Sequence, residues 1–348
     1  MKFVLPLFFL FIFSCSDENG IRLDNNRYNP NQRPPQTAFD EFFENQWHLN
    51  SDKDFSVNIL GAWAITKGAG VRIAVLDNNI QKYHEDFEAV NVFNIHDNSN
   101  RIEPVRKREF SHGTAVTGVI SARFNGRGTI GVAPESDVIF IGDTNFFSTD
   151  ANVIRALNAA KLWGARVINC SWGGGLVSES FESAMRTLYE NGTVIVFATD
   201  NRGINLDDNR NKDESELEWV IGVTGSDKNG LRARNMAFGS NIDIMAPGVN
   251  ILTLDLMGPD GSNNHNGLAN ENYGLRNGTS FAAPIVSGIA ALMLSVNPSL
   301  SATEVRRIIT ETAQKTGNVS YDQNGFSLEH AYGLIDATGA VRRAAGLD

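Results

Sequence analysis

Three polar residues lie in short segments whose chemistry suits nucleophilic catalysis: Asp77, His112 and Ser280. A serine hydroxyl is a weak nucleophile unless a neighbouring base takes its proton. An imidazole base in turn needs a third group that fixes its tautomer and stabilises its charged form. Aspartate, histidine and serine can fill these three roles, so the sequence raises the hypothesis of a catalytic triad.

Ser280 stands where a turn runs into a long helical pattern of small residues. Asn277 and Gly278 are a strong turn signal, and the residues from Phe281 onward are small enough to pack closely. At a helix start, backbone N–H groups point outward and the dipole favours developing negative charge. Taken alone, the segment is more typical of a Thr279 or Ser280 N-cap, so a catalytic role depends on the partners of Ser280.

Alternating strand and helix patterns surround these segments. Largely apolar, β-rich runs are found at 71–77, 136–143, 166–172, 192–199 and 218–225. Helical patterns lie at 152–163, 178–190, 302–315 and 334–345. Buried strands that alternate with helices predict an α/β fold in which a mainly parallel central sheet is covered on both faces, giving three αβα layers.

Polar residues follow several of the predicted strands directly. Asp77, Ser171, Asp200 and Asn201 all stand at carboxyl ends of strands. In open parallel sheets, ligands bind in the crevice at these ends. We therefore expect the four residues to lie near one another at one edge of the sheet.

Several segments, taken in order, resemble the subtilisin-like serine proteases, the subtilase family, in which the catalytic residues follow as Asp, His and Ser. The matching segments lie at 112–120, 131–136, 168–175, 242–253 and 278–288. The resemblance extends from about residue 46 to residue 341. It implies a subtilisin-like fold and a serine endopeptidase that hydrolyses peptide bonds through an acyl-enzyme, with no cofactor required for the chemistry.

The resemblance also assigns roles to single residues. Ser280 matches the nucleophile, His112 the general base and later acid, and Asp77 the group that orients His112. Asn201 matches the side chain that donates to the oxyanion, together with the N–H of Ser280.

Two walls of a substrate cleft are implied in the same way, one of which pairs with a peptide backbone by β-augmentation. The matching residues are Ser171, Trp172 and Gly173 on one side and Ala198, Thr199 and Asp200 on the other. The implied substrates are proteins or peptides, and we expect a monomer.

The sequence departs from the family pattern at two places. Asn78 and Asn79 follow the catalytic aspartate where relatives have Ser or Thr and then Gly, and Asp200 replaces a glycine beside Asn201. An Asp200 carboxylate close to the pocket would favour basic residues just before the cut. Alternatively, its side chain points to solvent and has no effect on specificity.

These departures leave a second function open, namely a catalytically inactive subtilase-fold protein that binds peptides at the cell envelope. A general esterase is disfavoured because the triad does not follow the Ser, Asp, His order of the α/β-hydrolases.

Calcium is a further expectation from the resemblance, because Asp86 and Asn125 match positions that often bind it in relatives. Calcium takes six to eight oxygen ligands, and few candidates are visible, so a structural site stays open. His84 matches a structural histidine. The other histidines have no partner motif and are expected to be structural or surface groups; they are His48, His96, His265 and His330. The acidic stretch 205–218 is expected to be a solvated surface, or a second cation site.

The N-terminus predicts export. Residues 1–14 carry one lysine and a short apolar run and end directly before Cys15. This ending resembles a bacterial lipobox, which implies cleavage before Cys15, lipidation of its thiol and a lipid-anchored protein at the bacterial cell envelope. An ordinary secretory signal or an uncleaved anchor is the alternative. Residues 15–45 are expected to form a flexible tether or short pro-segment, and 46–348 the peptidase domain.

Composition narrows the partners further. The formal net charge is −10 and no Lys/Arg-rich block is present, which argues against nucleic-acid binding. Apart from Cys15 the chain has only one cysteine, Cys170, inside an apolar run. We expect Cys170 to be a small buried apolar residue with no disulfide partner.

Overall fold

A computed structural model of the chain describes residues 39–49, 55–87, 90–102, 111–142, 149–173, 177–209, 212–258, 261 and 271–348. The predicted leader at 1–14, the predicted lipidation site Cys15 and His265 lie outside these residues.

A parallel sheet of seven strands forms the centre of the described fold. Its strands are β1 (Arg72–Asp77), β2 (Asn91–Asn94), β3 (Asp137–Gly142), β4 (Val167–Cys170), β5 (Val194–Ala198), β6 (Ile221–Ser226) and β7 (Ile244–Pro247). They lie side by side in the order β2-β3-β1-β4-β5-β6-β7. A separate antiparallel pair consists of β8 (Ile251–Leu254) and β9 (Tyr273–Arg276). The predicted parallel sheet is confirmed.

Seven α-helices accompany the strands in the described residues. They are α1 (Ile59–Trp63), α2 (His112–Ser121), α3 (Asp150–Leu162), α4 (Glu179–Glu190), α5 (Thr279–Val296), α6 (Ala302–Glu311) and α7 (Ala337–Ala344). Helices α3 and α4 pack on one face of the sheet, and α2 and α5 pack on the other together with α1, α6 and α7. The three predicted αβα layers are therefore confirmed.

Strand β1 shows why the sequence folds in this way. Its side chains alternate between the two cores: Ile73 and Val75 belong to the α2/α5 side, and Ala74 and Leu76 to the α3/α4 side. Successive residues of a strand point to opposite faces, so a strand covered on both faces needs an unbroken apolar run. The run at 71–77 meets this need.

Helix α5 lies in the middle of the core. By length and composition it is the one helix among the described residues that could cross a membrane, but 83% of its apolar window is buried inside the protein. Its small residues let it pack closely beneath the sheet, as in the core helix of a water-exposed domain. The described part of the chain thus uses this apolar segment internally.

The packed domain starts earlier than the predicted boundary at residue 46. Phe42 and Phe43 are buried, and Phe39 stacks on Phe43 with ring centroids 4.2 Å apart. The Asp40 carboxylate accepts hydrogen bonds from the N–H groups of Gly126 (2.7 Å) and Asn125 (3.2 Å). Residues 39–45, which were expected to belong to the tether, therefore pack as part of the domain, because their closely spaced phenylalanines bury apolar surface there.

Candidate active site

The strand register aligns the predicted site residues of β1, β4 and β5 side by side at the carboxyl edge of the sheet. Leu76 of β1 pairs with Cys170 of β4, and Cys170 pairs with Phe197 of β5. The next residue of each strand or its continuation is Asp77, Ser171 or Ala198. The expected convergence at the carboxyl edge is thus present, and Cys170 itself is fully buried just beneath that edge.

Asp77 and His112 form the first contact of the site. Both oxygens of the fully buried Asp77 carboxylate lie within reach of His112 Nδ1, at 3.0 and 2.9 Å. The N–H of Asn78 donates to Asp77 Oδ1 at 2.7 Å and holds the carboxylate in place. His112 is the first residue of α2, so the helix start fixes its position against the end of β1.

The environment of His112 shifts its proton affinity. Burial alone would lower the pKa of the imidazole, but the charge of Asp77 and its hydrogen bond outweigh this effect. The net result is a pKa above the ordinary value of 6.5, even though the positive charge of Arg276 acts in the opposite direction. Arg276 is held nearby by Asp255, with Nη2 and Oδ1 2.7 Å apart.

Ser280 is the second residue of α5. The N-cap is Gly278, whose φ of +138° favours glycine, and it makes no side-chain capping bond. Ser280 and Thr279 are therefore helical residues rather than the N-cap, which removes the structural alternative for Ser280. The Thr279 hydroxyl instead donates to the Thr199 carbonyl at 2.5 Å, tying the helix start to the end of β5.

The Ser280 hydroxyl donates to the Ser171 carbonyl at 2.9 Å. Within the described residues it makes no hydrogen bond to His112, although the ring of the adjacent Phe281 lies 5.6 Å from the imidazole centroid. Such serine–histidine bonds are often absent without substrate and tighten in the complex. The structure thus places Phe281, the residue after Ser280, against the imidazole of His112.

Two N–H donors lie at the start of α5, close to Ser280. Asn201 Oδ1 accepts from the N–H of Thr279 (3.0 Å), and the Thr279 hydroxyl oxygen lies 3.3 Å from it. This fixes the amide, and within the described residues Nδ2 has no partner. The N–H of Ser280, in the first turn of α5, has no partner inside the helix. Together the two groups can stabilise a negative oxygen next to Ser280.

A buried network supports the nucleophile from below. Pro284 has no N–H, so it cannot bond to the Ser280 carbonyl four residues earlier. The Ser171 hydroxyl donates to that carbonyl instead, at 2.8 Å. Asn169 Nδ2 donates to Ser171 Oγ, and Ser287 Oγ donates to Asn169 Oδ1, both at 2.9 Å. The sequence analysis missed Asn169 and Ser287, because a polar pair within apolar runs carries no signal of its own.

The two predicted substrate walls face each other across the cleft. Trp172 Nε1 donates to the Leu76 carbonyl at 2.9 Å, which holds one wall on β1. A Cβ added to Gly173 would lie 3.3 Å from the Ala198 carbonyl of the other wall. The absence of a side chain at Gly173 therefore lets the two segments approach each other closely.

Asp200 is engaged by a neighbour. Its carboxylate accepts from Arg202 Nε at 2.9 and 2.8 Å and from the Arg202 N–H at 2.7 Å. This pairing lowers the pKa of Asp200, whose side chain is 13% exposed, and balances its charge. Asp200, Asn78 and Asn79 do not adopt positive φ, so none of the departures from the family pattern strains the backbone.

Asp86 and Asn125 lie together but present a poor ligand set for calcium. Asp86 Oδ1 accepts from Asn125 Nδ2 (3.2 Å), and Asp86 Oδ2 accepts from the Thr129 N–H (3.0 Å) and hydroxyl (3.3 Å). Asn125 Oδ1 accepts from the Arg127 N–H. Donor N–H groups occupy positions where calcium needs oxygens, so this arrangement does not fit the ion. Among the described residues, no group of three or more His, Cys, Asp or Glu could hold a metal.

His84 and His48 are two buried histidines outside the Asp77–His112 contact. His84 is held by the Asn272 carbonyl (3.0 Å) and by the Asp86 N–H (3.1 Å), and burial lowers its pKa to about 4. Burial lowers the pKa of His48 to about 3. These contacts fit structural histidines.

The acidic stretch 205–218 is not simply a solvated surface. Residues 213–216 are all buried, and the Asp213 carboxylate accepts from the N–H and hydroxyl of Ser215. Asp213 and Glu216 form a reciprocal capping box. The expectation of a fully solvated loop was wrong here, because capping and burial of this short turn override its charged composition.

Comparison with known proteins extends this picture. Residues 68–334 match the model of the subtilase family. The chain is similar to subtilisin DY from Bacillus licheniformis, with 31% identity over 261 residues that cover 74% of this chain and 89% of that protein. It is 29% identical to fervidolysin from Fervidobacterium pennivorans, but it spans only 42% of that protein's length. Among solved structures, a protease from Pseudoalteromonas arctica superposes with a TM-score of 0.73 and 27% identity, covering 88% of this chain and 99% of that one.

Proposed function

Because the chain belongs to the subtilase family of serine endopeptidases, we propose that Asp77, His112 and Ser280 carry out its peptide-bond hydrolysis. The observation that carries this assignment is the contact of His112 Nδ1 with the buried Asp77 carboxylate, beside a serine at a helix start.

The reaction follows from these positions. The Ser280 hydroxyl first gives up its hydrogen bond to the Ser171 carbonyl. His112 Nε2 then takes the hydroxyl proton as Ser280 Oγ attacks the substrate carbonyl. Asp77 stabilises the resulting imidazolium, while the Ser280 N–H and Asn201 Nδ2 stabilise the oxyanion. His112 then gives its proton to the leaving amine, and water hydrolyses the acyl-enzyme by the same steps in reverse.

A fluorophosphonate probe tests the assignment, because it bonds covalently to an activated serine. Labelling of the wild-type protein, mapped to Ser280 by mass spectrometry and accompanied by cleavage of casein, is expected. A folded protein that binds peptides but is neither labelled nor active would instead be the inactive peptide-binding protein.

Asn201→Ala is expected to lower kcat by about 10²–10³-fold with a smaller effect on KM, since one oxyanion donor acts mainly in the transition state. Steady-state kinetics on a peptide amide measure this, with the exposed Asn209→Ala as the control. The Tm of both variants must match that of the wild type, because Asn201 Oδ1 also accepts from Thr279. A loss below about threefold would contradict the role.

The pH profile is expected to report His112. The base must be neutral, so kcat/KM should fall as pH drops through a pKa above the ordinary 6.5. Arg276→Gln removes a positive charge that lowers this pKa, so the acidic limb should move to higher pH. Arg276→Lys keeps the charge and serves as the control. An acidic limb at the wild-type pH in Arg276→Gln would show that the charge of Arg276 does not affect the pKa of His112.

Calcium binding by Asp86 and Asn125 stays a prediction of the sequence. The hydrogen bonds to Asp86 lead us to expect that chelation with EDTA changes Tm by less than about 1 °C. A calcium-dependent rise of several degrees would instead establish an ion site and imply a different arrangement of the Asn125 amide.

We also propose export of the protein and a lipid on Cys15 that tethers it to a bacterial membrane. The support is the apolar run and the Ser14-Cys15 ending of residues 1–14. Labelling of the full chain with palmitate analogues, lost in Cys15→Ser, tests the anchor. Release of unlabelled protein into the medium would support a plain secretory signal instead.

A further inference from the structure

The buried network of Asn169, Ser171 and Ser287 leads from the core to the backbone of Ser280. Each of the three side chains is 2% exposed or less. Ser287 Oγ donates to Asn169 Oδ1 at 2.9 Å, and Asn169 Nδ2 donates to Ser171 Oγ at 2.9 Å. Ser171 Oγ donates in turn to the Ser280 carbonyl at 2.8 Å. Every donor in the buried network therefore points the same way, toward the backbone of Ser280.

The surroundings of the buried network are apolar. Asn169 of β4 pairs with Val75 of β1 and Val196 of β5, and both valines belong to the core that packs on α5. A buried polar group costs free energy unless it is hydrogen-bonded, and replacing all partners by apolar groups of the same shape is often neutral for stability. Packing alone thus gives no reason for three polar side chains here. The residue on which the network ends indicates their role.

The network ends on a carbonyl that its own helix leaves unpaired. Pro284 has no N–H to donate to the Ser280 carbonyl, and the Ser171 hydroxyl takes that position. The Ser280 hydroxyl donates to the main-chain carbonyl of Ser171 at 2.9 Å, so the two serines form a reciprocal pair of hydrogen bonds. Just before Ser280, the N–H of Thr279 donates to Asn201 Oδ1 at 3.0 Å. The backbone is thus anchored on both sides of Ser280.

We propose that Asn169 and Ser287 are positioning residues for peptide hydrolysis, because they orient the Ser171 hydroxyl so that it holds the Ser280 backbone throughout the reaction. This role rests on the proposed function of Ser280 as the nucleophile. The Ser280 hydroxyl leaves the Ser171 carbonyl when it attacks, so the bond from Ser171 Oγ is the one of the reciprocal pair that remains. Ser280 Oγ and the Ser280 N–H both move with this backbone, and a displacement of about 1 Å can cost about 10²-fold in rate.

Ser287 acts at the far end of the buried network by fixing the amide of Asn169. Its hydroxyl donates to Asn169 Oδ1, which leaves Nδ2 to donate to Ser171. An amide turned by half a rotation would present its oxygen to Ser171, and the Ser171 hydroxyl would then donate to that oxygen instead of the Ser280 carbonyl. Successive hydrogen bonds also polarise and strengthen one another. Removal of the Ser287 hydroxyl therefore loosens the nucleophile without touching the substrate.

A double-mutant cycle between Ser171 and Ser287 tests this role. On a peptide amide, Ser287→Ala is expected to lower kcat by about tenfold and Ser171→Ala by about 30-fold, with KM within about twofold of the wild type. Because Ser287 acts through the Ser171 hydroxyl, the double variant should be no slower than Ser171→Ala alone, whereas independent structural effects would multiply. Ser121→Ala is the matched control and should keep the wild-type kcat, because it removes a buried helical hydroxyl that donates to the Thr117 carbonyl.

An unchanged kcat in folded Ser287→Ala would overturn the proposal, as would losses that multiply in the double variant. If Ser171→Ala does not fold, Pro284→Ala takes its place in the cycle, because it supplies an N–H to the Ser280 carbonyl. Ser287→Ala should then cost less than about twofold in that background, and an undiminished loss would count against the role.

Failure of the proposed function has a different signature. A folded wild-type protein that neither reacts with fluorophosphonate nor cleaves the peptide would overturn both proposals. An active wild type whose kcat is insensitive to Ser287→Ala would overturn the positioning role alone.

Discussion

Ser280→Ala is expected to lower kcat for a peptide substrate by about 10⁶-fold, the scale known for removing the nucleophile of a subtilisin triad. The neighbouring Ser171 hydroxyl cannot replace it, because that hydroxyl already donates to the Ser280 carbonyl. KM should change little, because the backbone groups of the cleft and Asn201 remain. Residual activity over water should persist, since the oxyanion donors still act.

Ser295→Ala is a matched control for this experiment. Ser295 lies near the other end of the same helix, and its hydroxyl donates to the Leu292 carbonyl at 2.7 Å. Both variants remove one hydroxyl from α5, so a fold defect would affect them alike. A Ser280→Ala protein that retains more than about 1% of wild-type kcat would exclude Ser280 as the nucleophile.

Asp77→Asn is expected to lower kcat by about 10⁴-fold while the fold is preserved. Asparagine has nearly the same shape as aspartate, but its amide can donate to His112 Nδ1. The imidazole would then carry its proton on Nε2, the nitrogen that has to accept the proton of Ser280. Loss of the negative charge also removes the main stabilisation of the imidazolium.

Single-turnover kinetics with a peptide ester separate this effect from substrate binding. Asp137→Asn serves as the control, because Asp137 is a partly exposed acid on the neighbouring strand β3 that pairs with Arg72. Fluorophosphonate labelling of Asp77→Asn should slow in parallel with kcat. Labelling at the wild-type rate would mean that His112 is held in its working tautomer by another group.

Much of the site could be predicted from the chain because local chemistry and strand position agree there. Asp77 ends an apolar run that is long enough for a doubly covered strand, and register alone then brings it level with Ser171. Ser280 could not be assigned from its own segment, which resembles an ordinary helix start. Its role became predictable only through partners that lie far away in sequence.

Other parts of the site depend on contacts that cannot be predicted from any single segment of the sequence. The bond from Ser171 Oγ to the Ser280 carbonyl exists because Pro284 leaves that carbonyl free, and the sequence does not reveal which side chain will fill it. The burial of Asp213 and Glu214 likewise depends on capping within a short turn and on the close approach of Gly173. A strongly acidic composition indicates solvent exposure, so these residues were predicted on the surface.

The position of α5 near the end of the chain has a consequence for biogenesis. Asp77 is made long before Ser280, and the contacts that tie the start of α5 to the sheet edge bridge long stretches of sequence: Asn201 reaches Thr279 across 78 residues, and Ser171 reaches Ser280 across 109. Parallel sheets closed by such distant pairings form slowly, after most of the chain is available. A nascent or truncated chain therefore holds its histidine and aspartate without a working serine. Hydrolysis by the three residues therefore requires that synthesis has passed α5 and that this helix has packed against the sheet.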